Sequence, residues 1–144
     1  MVDRVAQIVA WRYNCVNELD QGGVIVNTDI PVDLAPHANL WIERGGRVAL
    51  SRWRVQLLEA IEATGSISAA AEKIGVQYRL AWERLEEMEE GLGVRLVERH
   101  IGGAGGGGAV VTPIGRALIA RFNAYAAAVE AAVGDEFQRH FRSS

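Results

Sequence analysis

Cysteine is nearly absent. Cys15 is the single thiol in 144 residues, so no internal disulfide can form, which fits a reducing cytoplasm. A lone cysteine with no histidine assigned to it reads as a small apolar filler, not a nucleophile. Histidine is scarce too: His37, His100 and His140 are scattered, with no metal-ligand spacing and no Ser/His/Asp or Cys/His set. An enzyme, a metal site and a cofactor are therefore not expected. No apolar run approaches the roughly 18 residues of a membrane span. The N-terminus has no basic segment followed by a clean apolar core and a cleavage site, so no signal peptide is expected. The chain also lacks a basic excess, carrying a formal net charge of −3.

That charge is unevenly distributed. Residues 1–39 carry two Arg against five acids, residues 40–121 eleven Lys or Arg against ten acids, and residues 122–144 two Arg against three acids. The middle is nearly neutral, at +1, so any non-specific attraction to phosphate is modest. With 49% hydrophobic and 23% charged residues, a chain of this length can bury a core.

The organising stretch is Gly65–Leu92. Arg52 to Ala63 reads as a helix capped by Ser51, with Trp53, Leu57, Ala60 and Ile61 as its inner stripe. Gly65 ends it. Ser66 or Ser68 can cap a short second helix, whose Ala69, Ala70 and Ala71 allow a close crossing. Gly75 suits a tight turn needing φ > 0. A third helix is predicted from about Gln77 to Glu90. Tyr78, Ala81, Leu85, Met88 and Leu92 form its buried stripe, Arg79, Leu80, Glu83 and Glu86 point away, and Trp82 lies on the border. This is helix-turn-helix spacing, in which the last helix enters the DNA major groove.

Either side of that core the reading is shorter. Residues 2–19 can form a helix stopped by Gln21-Gly22-Gly23, Val24–Val26 is β-prone, and Pro31 and Pro36 break the segment. Leu40–Arg44 reads as a strand and Gly45-Gly46 as a turn. After Gly93, residues 94–101 and Ala109–Val111 read as strands around a loop with six glycines among residues 102–108. Strand, glycine loop and strand behind a helix-turn-helix make a β wing. Gly103, Gly105 and Gly108 also match the G-x-G-x-x-G pattern, but they lead into a strand and no βαβ unit surrounds them, so nucleotide binding is rejected. Thr112 caps a final helix opened by Pro113 and running at least to Val133. Ile114, Leu118, Phe122, Tyr125, Val129 and Ala132 step close to an a/d seam that a second copy would cover.

Ala70-Ala71 through Leu85, Met88-Glu89 and Leu92–Arg99 resemble the DNA-binding domain of LysR-type regulators. Gly65–Ser68, Tyr78, Ala81-Trp82, Leu96–Arg99 and above all Gly102–Thr112 resemble the N-terminal domain of ModE-type molybdate-responsive regulators. The resemblance covers about residues 40–125. It implies a dimer on double-stranded DNA, with Arg79 at a basic position of the recognition helix. In that family a C-terminal pair of small β domains holds the oxyanion. No sequence after residue 144 supplies them, so molybdate binding is not expected of these residues.

The expected architecture is mainly α with a small β wing. Residues 1–39 form an extension, 40–112 a winged helix-turn-helix, and 113–144 a dimerisation helix and tail. The expected function is sequence-specific DNA binding by a cytoplasmic homodimeric transcriptional regulator. Ser66, Ser68, Gln77, Tyr78, Arg79, Trp82, Glu83, Arg99, His100, Gly102 and Gly103 are the candidate DNA contacts. Arg79 would read bases and Arg99 phosphates. Leu118, Phe122, Tyr125 and Val129 are the candidate dimer contacts. The alternative is a winged-helix protein-interaction module without DNA binding. It draws on the acidic run Glu83, Glu86, Glu87, Glu89 and Glu90, which would repel phosphate.

Overall fold

The computed structural model describes residues 33–100 and 108–141. The predicted helix over 2–19, its glycine stop and the Val24–Val26 run lie outside them, as does the tip of the glycine loop. The elements run β1 (Trp41–Arg44), β2 (Arg47–Ser51), α1 (Arg52–Thr64), α2 (Ile67–Lys73), α3 (Tyr78–Leu92), β3 (Val97–His100), β4 (Gly108–Val111) and α4 (Pro113–Phe141).

Local chemistry sets most boundaries. Ser51 holds an extended backbone and its hydroxyl accepts from the Arg54 amide, so β2 passes directly into α1. Gly65 ends α1 at φ 67° and its amide donates to Ile61 O. The hydroxyl of Ser66, not Ser68, then accepts from the Ala69 amide and starts α2. Gly75, at φ 71°, makes the turn into α3. Thr112 Oγ1 accepts from the Gly115 amide at 3.1 Å, and Pro113 opens α4 with no amide to satisfy.

The strands form two separate antiparallel hairpins. In the first, Ile42 faces Leu50 and Glu43 faces Val48, with an irregularity between Ile42 and Glu43 that leaves Ala49 over. The strand Arg47–Ser51 was not foreseen from sequence; only its partner and the Gly45-Gly46 turn were. In the second hairpin Val97 pairs with Val111 and Arg99 with Ala109. This is the expected wing, with β3 beginning three residues later than the strand read from residue 94.

One core joins these elements. Leu57, Leu58, Ile61, Leu85, Met88 and Leu96 are fully buried, each contributing about 1.5–3 kcal/mol by leaving water. Ala70 and Ala71, buried against the same cluster, let α2 cross α1 and α3 closely. The wing is tied to the helices by its backbone: Ala109 N donates to Gly65 O, and Thr112 N to Leu96 O, both at 2.8 Å.

The face that α4 turns inward differs from the expected seam. Gly115, Ile119, Phe122 and Ala126 are its buried residues. Phe122 is 2% exposed and sits in the core of its own chain, so it is not part of an uncovered stripe. Leu118 and Val129 are half-buried, while Ile114, Tyr125 and Ala132 are exposed. The helix also runs well past Val133, to Phe141.

Candidate nucleic-acid interface

The core decides which side of α3 can meet a ligand. Ala81, Leu85, Met88 and Glu89 are its buried residues, and Leu92 is half-buried. Tyr78, read from sequence as the first member of that stripe, is 53% exposed. The hydrophobic stripe begins one turn later, because the helix enters from the exposed Gly75 turn and its first residues stand clear of the core. Gln77, Tyr78 and Arg79 therefore form an exposed first turn. Gln77 holds the N-cap position without a side-chain capping bond.

Arg79 extends into solvent and its Nε donates to Glu83 Oε1 at 2.8 Å, one turn along. That hydrogen bond, with the attraction of the same carboxylate, raises the guanidinium's already high pKa. Trp82 is half-buried, with its ring centroid 6.2 Å from that of Tyr78. The guanidinium of Arg99 lies over the Trp82 ring, 4.0 Å from its centroid. Arg99 was expected to stand at the wing as a phosphate contact. Its side chain is instead 24% exposed and reaches Glu89 Oε2 at 3.4 Å. Cross-strand placement opposite Ala109 points it inward over α3, not outward from the hairpin.

The remaining candidates are dispersed. Ser66 spends its hydroxyl on the α2 cap, and Ser68 is exposed in the first turn of α2. His100 is exposed at the end of β3, and Gly102 and Gly103 lie outside the described residues. The structure thus gathers Tyr78, Trp82 and Arg99 into one stacked group with Arg79 and Glu83 beside it.

Three supporting side chains were not identified from sequence. Glu89, at 9% exposure, accepts from the Leu96 and Val97 amides at 2.8 and 3.0 Å and faces Arg95 and Arg99. Arg54 donates to Val48 O at 2.5 Å and to Glu87 at 2.7 Å, joining β2, α1 and α3. Burial, together with the nearby Arg84 charge, lowers its pKa, and the Glu87 carboxylate opposes that shift. Arg44 reaches the carbonyls of Gly91 and Leu92 and so neutralises the open C-terminus of α3. Little in the sequence signals these roles, because each joins segments distant in the chain or pairs a side chain with backbone.

The acidic run is largely consumed by the fold. Glu83 pairs with Arg79, Glu87 with Arg54 and Arg84, and Glu89 with Arg95 and Arg99. Among the described residues, Glu86 and Glu90 are the members of the run without an ion pair. No group of His, Cys, Asp or Glu among the described residues could hold a metal ion, and no described helix is long and apolar enough to cross a membrane.

Residues 53–116 match the family model of the bacterial regulatory helix-turn-helix protein, LysR family. The molybdenum-pterin-binding protein MopB of Rhodobacter capsulatus is 46% identical over 88 residues, 61% of this chain and 32% of that protein. The DNA-binding transcriptional dual regulator ModE of Escherichia coli K12 is 47% identical over 66 residues, 46% of this chain and 25% of that protein. The chain thus spans about a third or less of the length of these curated relatives. Among solved structures, ArgP of Mycobacterium tuberculosis aligns with a TM-score of 0.43 and 27% identity over 59% of this chain and 30% of that one, a likeness too low to add to the assignment.

Proposed function

Taking residues 53–116 as a helix-turn-helix domain of ModE type within the LysR pattern, we propose that the chain is a transcriptional regulator, not an enzyme, and reads double-stranded DNA. In this reading α3 lies in the major groove and presents Gln77, Tyr78 and Arg79 to base edges, while the β3–β4 hairpin rests near the sugar-phosphate backbone. The observation that carries it is the exposed first turn of α3, held on a helix whose opposite face is locked in the core. A reading surface must combine those properties: its side chains reach solvent and its backbone does not move.

The domain is close to electrically neutral, so affinity must come from matched contacts and from pairing, not from bulk charge. We read α4 as the pairing element of a homodimer. Phe122 belongs to the chain's own core, so the pairing surface is narrower than the seam read from sequence. It centres on Tyr125 and Leu118 beside a cavity of about 450 Å³ lined by Ile42, Leu50, Leu92 and Phe122. A second copy covering this face would give two reading helices about a two-fold axis, suited to a palindromic site. Ion pairing within the acidic run weakens the argument for a protein-interaction module. Gel shift combined with sedimentation tests the proposal. A dimer that prefers one duplex sequence supports it, and a monomer indifferent to sequence refutes it.

A further inference from the structure

We propose that Glu89 and Arg99 are positioning residues that lock the β3–β4 hairpin against the reading helix, with Arg99 acting as a strut and not as a phosphate contact. The proposal rests on the DNA-reading function given above and deepens it.

Trp82 and Glu89 are seven residues apart on α3, two turns along, and so share one side of the helix. The Glu89 carboxylate is buried there. One oxygen accepts from the amides of Leu96 and Val97, the residues that lead into β3. Two such bonds to an ionised acceptor fix where the strand starts. The other oxygen faces Arg99 Nη2 at 3.4 Å and Arg95 Nη1 at 3.3 Å. Arg99 stands two residues after Val97, on the same side of the strand. Its guanidinium spans the gap between Glu89 and the face of Trp82, which in turn stacks at an angle against Tyr78.

The result is a continuous path from the wing strand through Arg99 and Trp82 to Tyr78 in the exposed first turn. Arg99 Nε has no hydrogen-bond partner among the described residues, so stacking and the Glu89 carboxylate hold the group. A phosphate could recruit this guanidinium only by drawing it off both. Lysine is a poor strut, because its ammonium is attracted to the indole but has no planar fork to stack on the ring while facing Glu89, whereas lysine would serve as well at a simple phosphate contact.

The test uses the whole chain with Arg99→Lys, Arg99→Ala and Glu89→Gln, against a duplex selected by the wild type and a scrambled duplex. The strut predicts that Arg99→Lys behaves like Arg99→Ala. Affinity for the selected duplex falls about tenfold in both, with the wild-type salt slope retained. Glu89→Gln keeps an oxygen for the two amides but loses the charge facing Arg99, and moves in the same direction. Binding to the scrambled duplex stays within about twofold of wild type in all three, since no phosphate contact is lost. The Trp82 indole N–H resonance, identified by its loss in Trp82→Phe, shifts in Arg99→Lys without any DNA present. Wild-type affinity in Arg99→Lys, with a slope flatter by about 0.9 in Arg99→Ala, would overturn the strut. A wild-type chain that selects no duplex would refute the DNA-reading function instead. The indole resonance would still decide the strut, and an unshifted signal in Arg99→Lys would reject it.

Discussion

Arg79 and Glu83 form a pair at the exposed start of α3: the Arg79 Nε donates to a Glu83 oxygen at 2.8 Å, one helical turn away. The bond uses Nε and not the two terminal nitrogens, on a side chain that is 87% exposed. Those two nitrogens are the fork with which arginine takes the O6 and N7 edge of guanine. On the DNA-reading function proposed above, the place of Glu83 is to aim Arg79.

Arg79→Ala should therefore weaken binding to the preferred duplex by about ten- to a hundredfold and relax the choice of base at one position per half-site. Glu83→Gln should act differently. It removes a negative charge near the backbone, so binding to arbitrary duplex rises, while the preference for the selected sequence falls by about twofold as Arg79 loses its aim. Competition binding with single-base variants measures both. Equal loss across all variants in Arg79→Ala would assign that arginine to phosphate.

Ser66 and Ser68 were equal candidates for the cap of α2 on sequence, and the structure separates them. Ser66 accepts from the Ala69 amide, while Ser68 is exposed within the first turn. Ser66→Ala should cost about 1 kcal/mol in urea unfolding, and Ser68→Ala a few tenths at most. Equal costs would contradict the cap.

Gly115 marks a close approach of α4 to the wing. A Cβ placed there would stand 2.7 Å from Leu96 O and 2.8 Å from Val111 Cγ1. The carbonyl cannot swing aside, because it already accepts from the Thr112 amide. Gly115→Ala should destabilise by about 1–3 kcal/mol despite alanine's higher helix propensity. Gly134, on the same helix with open space around it, is the control, and alanine there should be neutral or stabilising. Thermal unfolding of the two variants gives the comparison.

Glu87 provides a pH dependence. The Arg84 hydrogen bond holds its carboxyl below the usual glutamate range, with Arg54 adding to that and partial burial opposing it. A carboxyl depressed in the folded state binds its proton more readily when unfolded. Its contribution is thus complete above the ordinary glutamate pKa of about 4.3 and is lost as pH falls through the lower folded value. The side chain is 46% exposed, so water screens the pair and the contribution is about 0.5 kcal/mol. Glu87→Gln should narrow the stability difference between neutral pH and about pH 3 by that amount. An unchanged difference would mean that the pair contributes nothing.

The legible parts of the fold were those written in short-range chemistry. Ser51, Gly65, Gly75 and the Thr112-Pro113 step each announce a helix end through their own backbone or side-chain preference. The wing followed from a glycine run between two apolar segments. Three things were not legible. Arg47–Ser51 has the composition of a helix start as much as a strand, and only its pairing with β1 decides. The face of α4 depends on what it packs against, so Ile119 and Ala126, not Ile114 and Tyr125, flank Phe122 in the core. Glu89 looked like one more solvated acid because its partners are amides seven and eight residues on, and backbone groups leave no trace in a sequence. The same limit hid the setting of Arg99: its place in the wing was readable, its stacking on Trp82 was not.

The most direct test of the central claim is selection from a random-sequence duplex library by the whole wild-type chain, with Arg79→Ala run in parallel. The account predicts enrichment of a palindromic site. Its half-sites should lie about one helical turn of DNA apart or a multiple of it, and contain a guanine whose preference Arg79→Ala abolishes. A wild-type chain that enriches no sequence, or one whose enriched site is unchanged by Arg79→Ala, would contradict it.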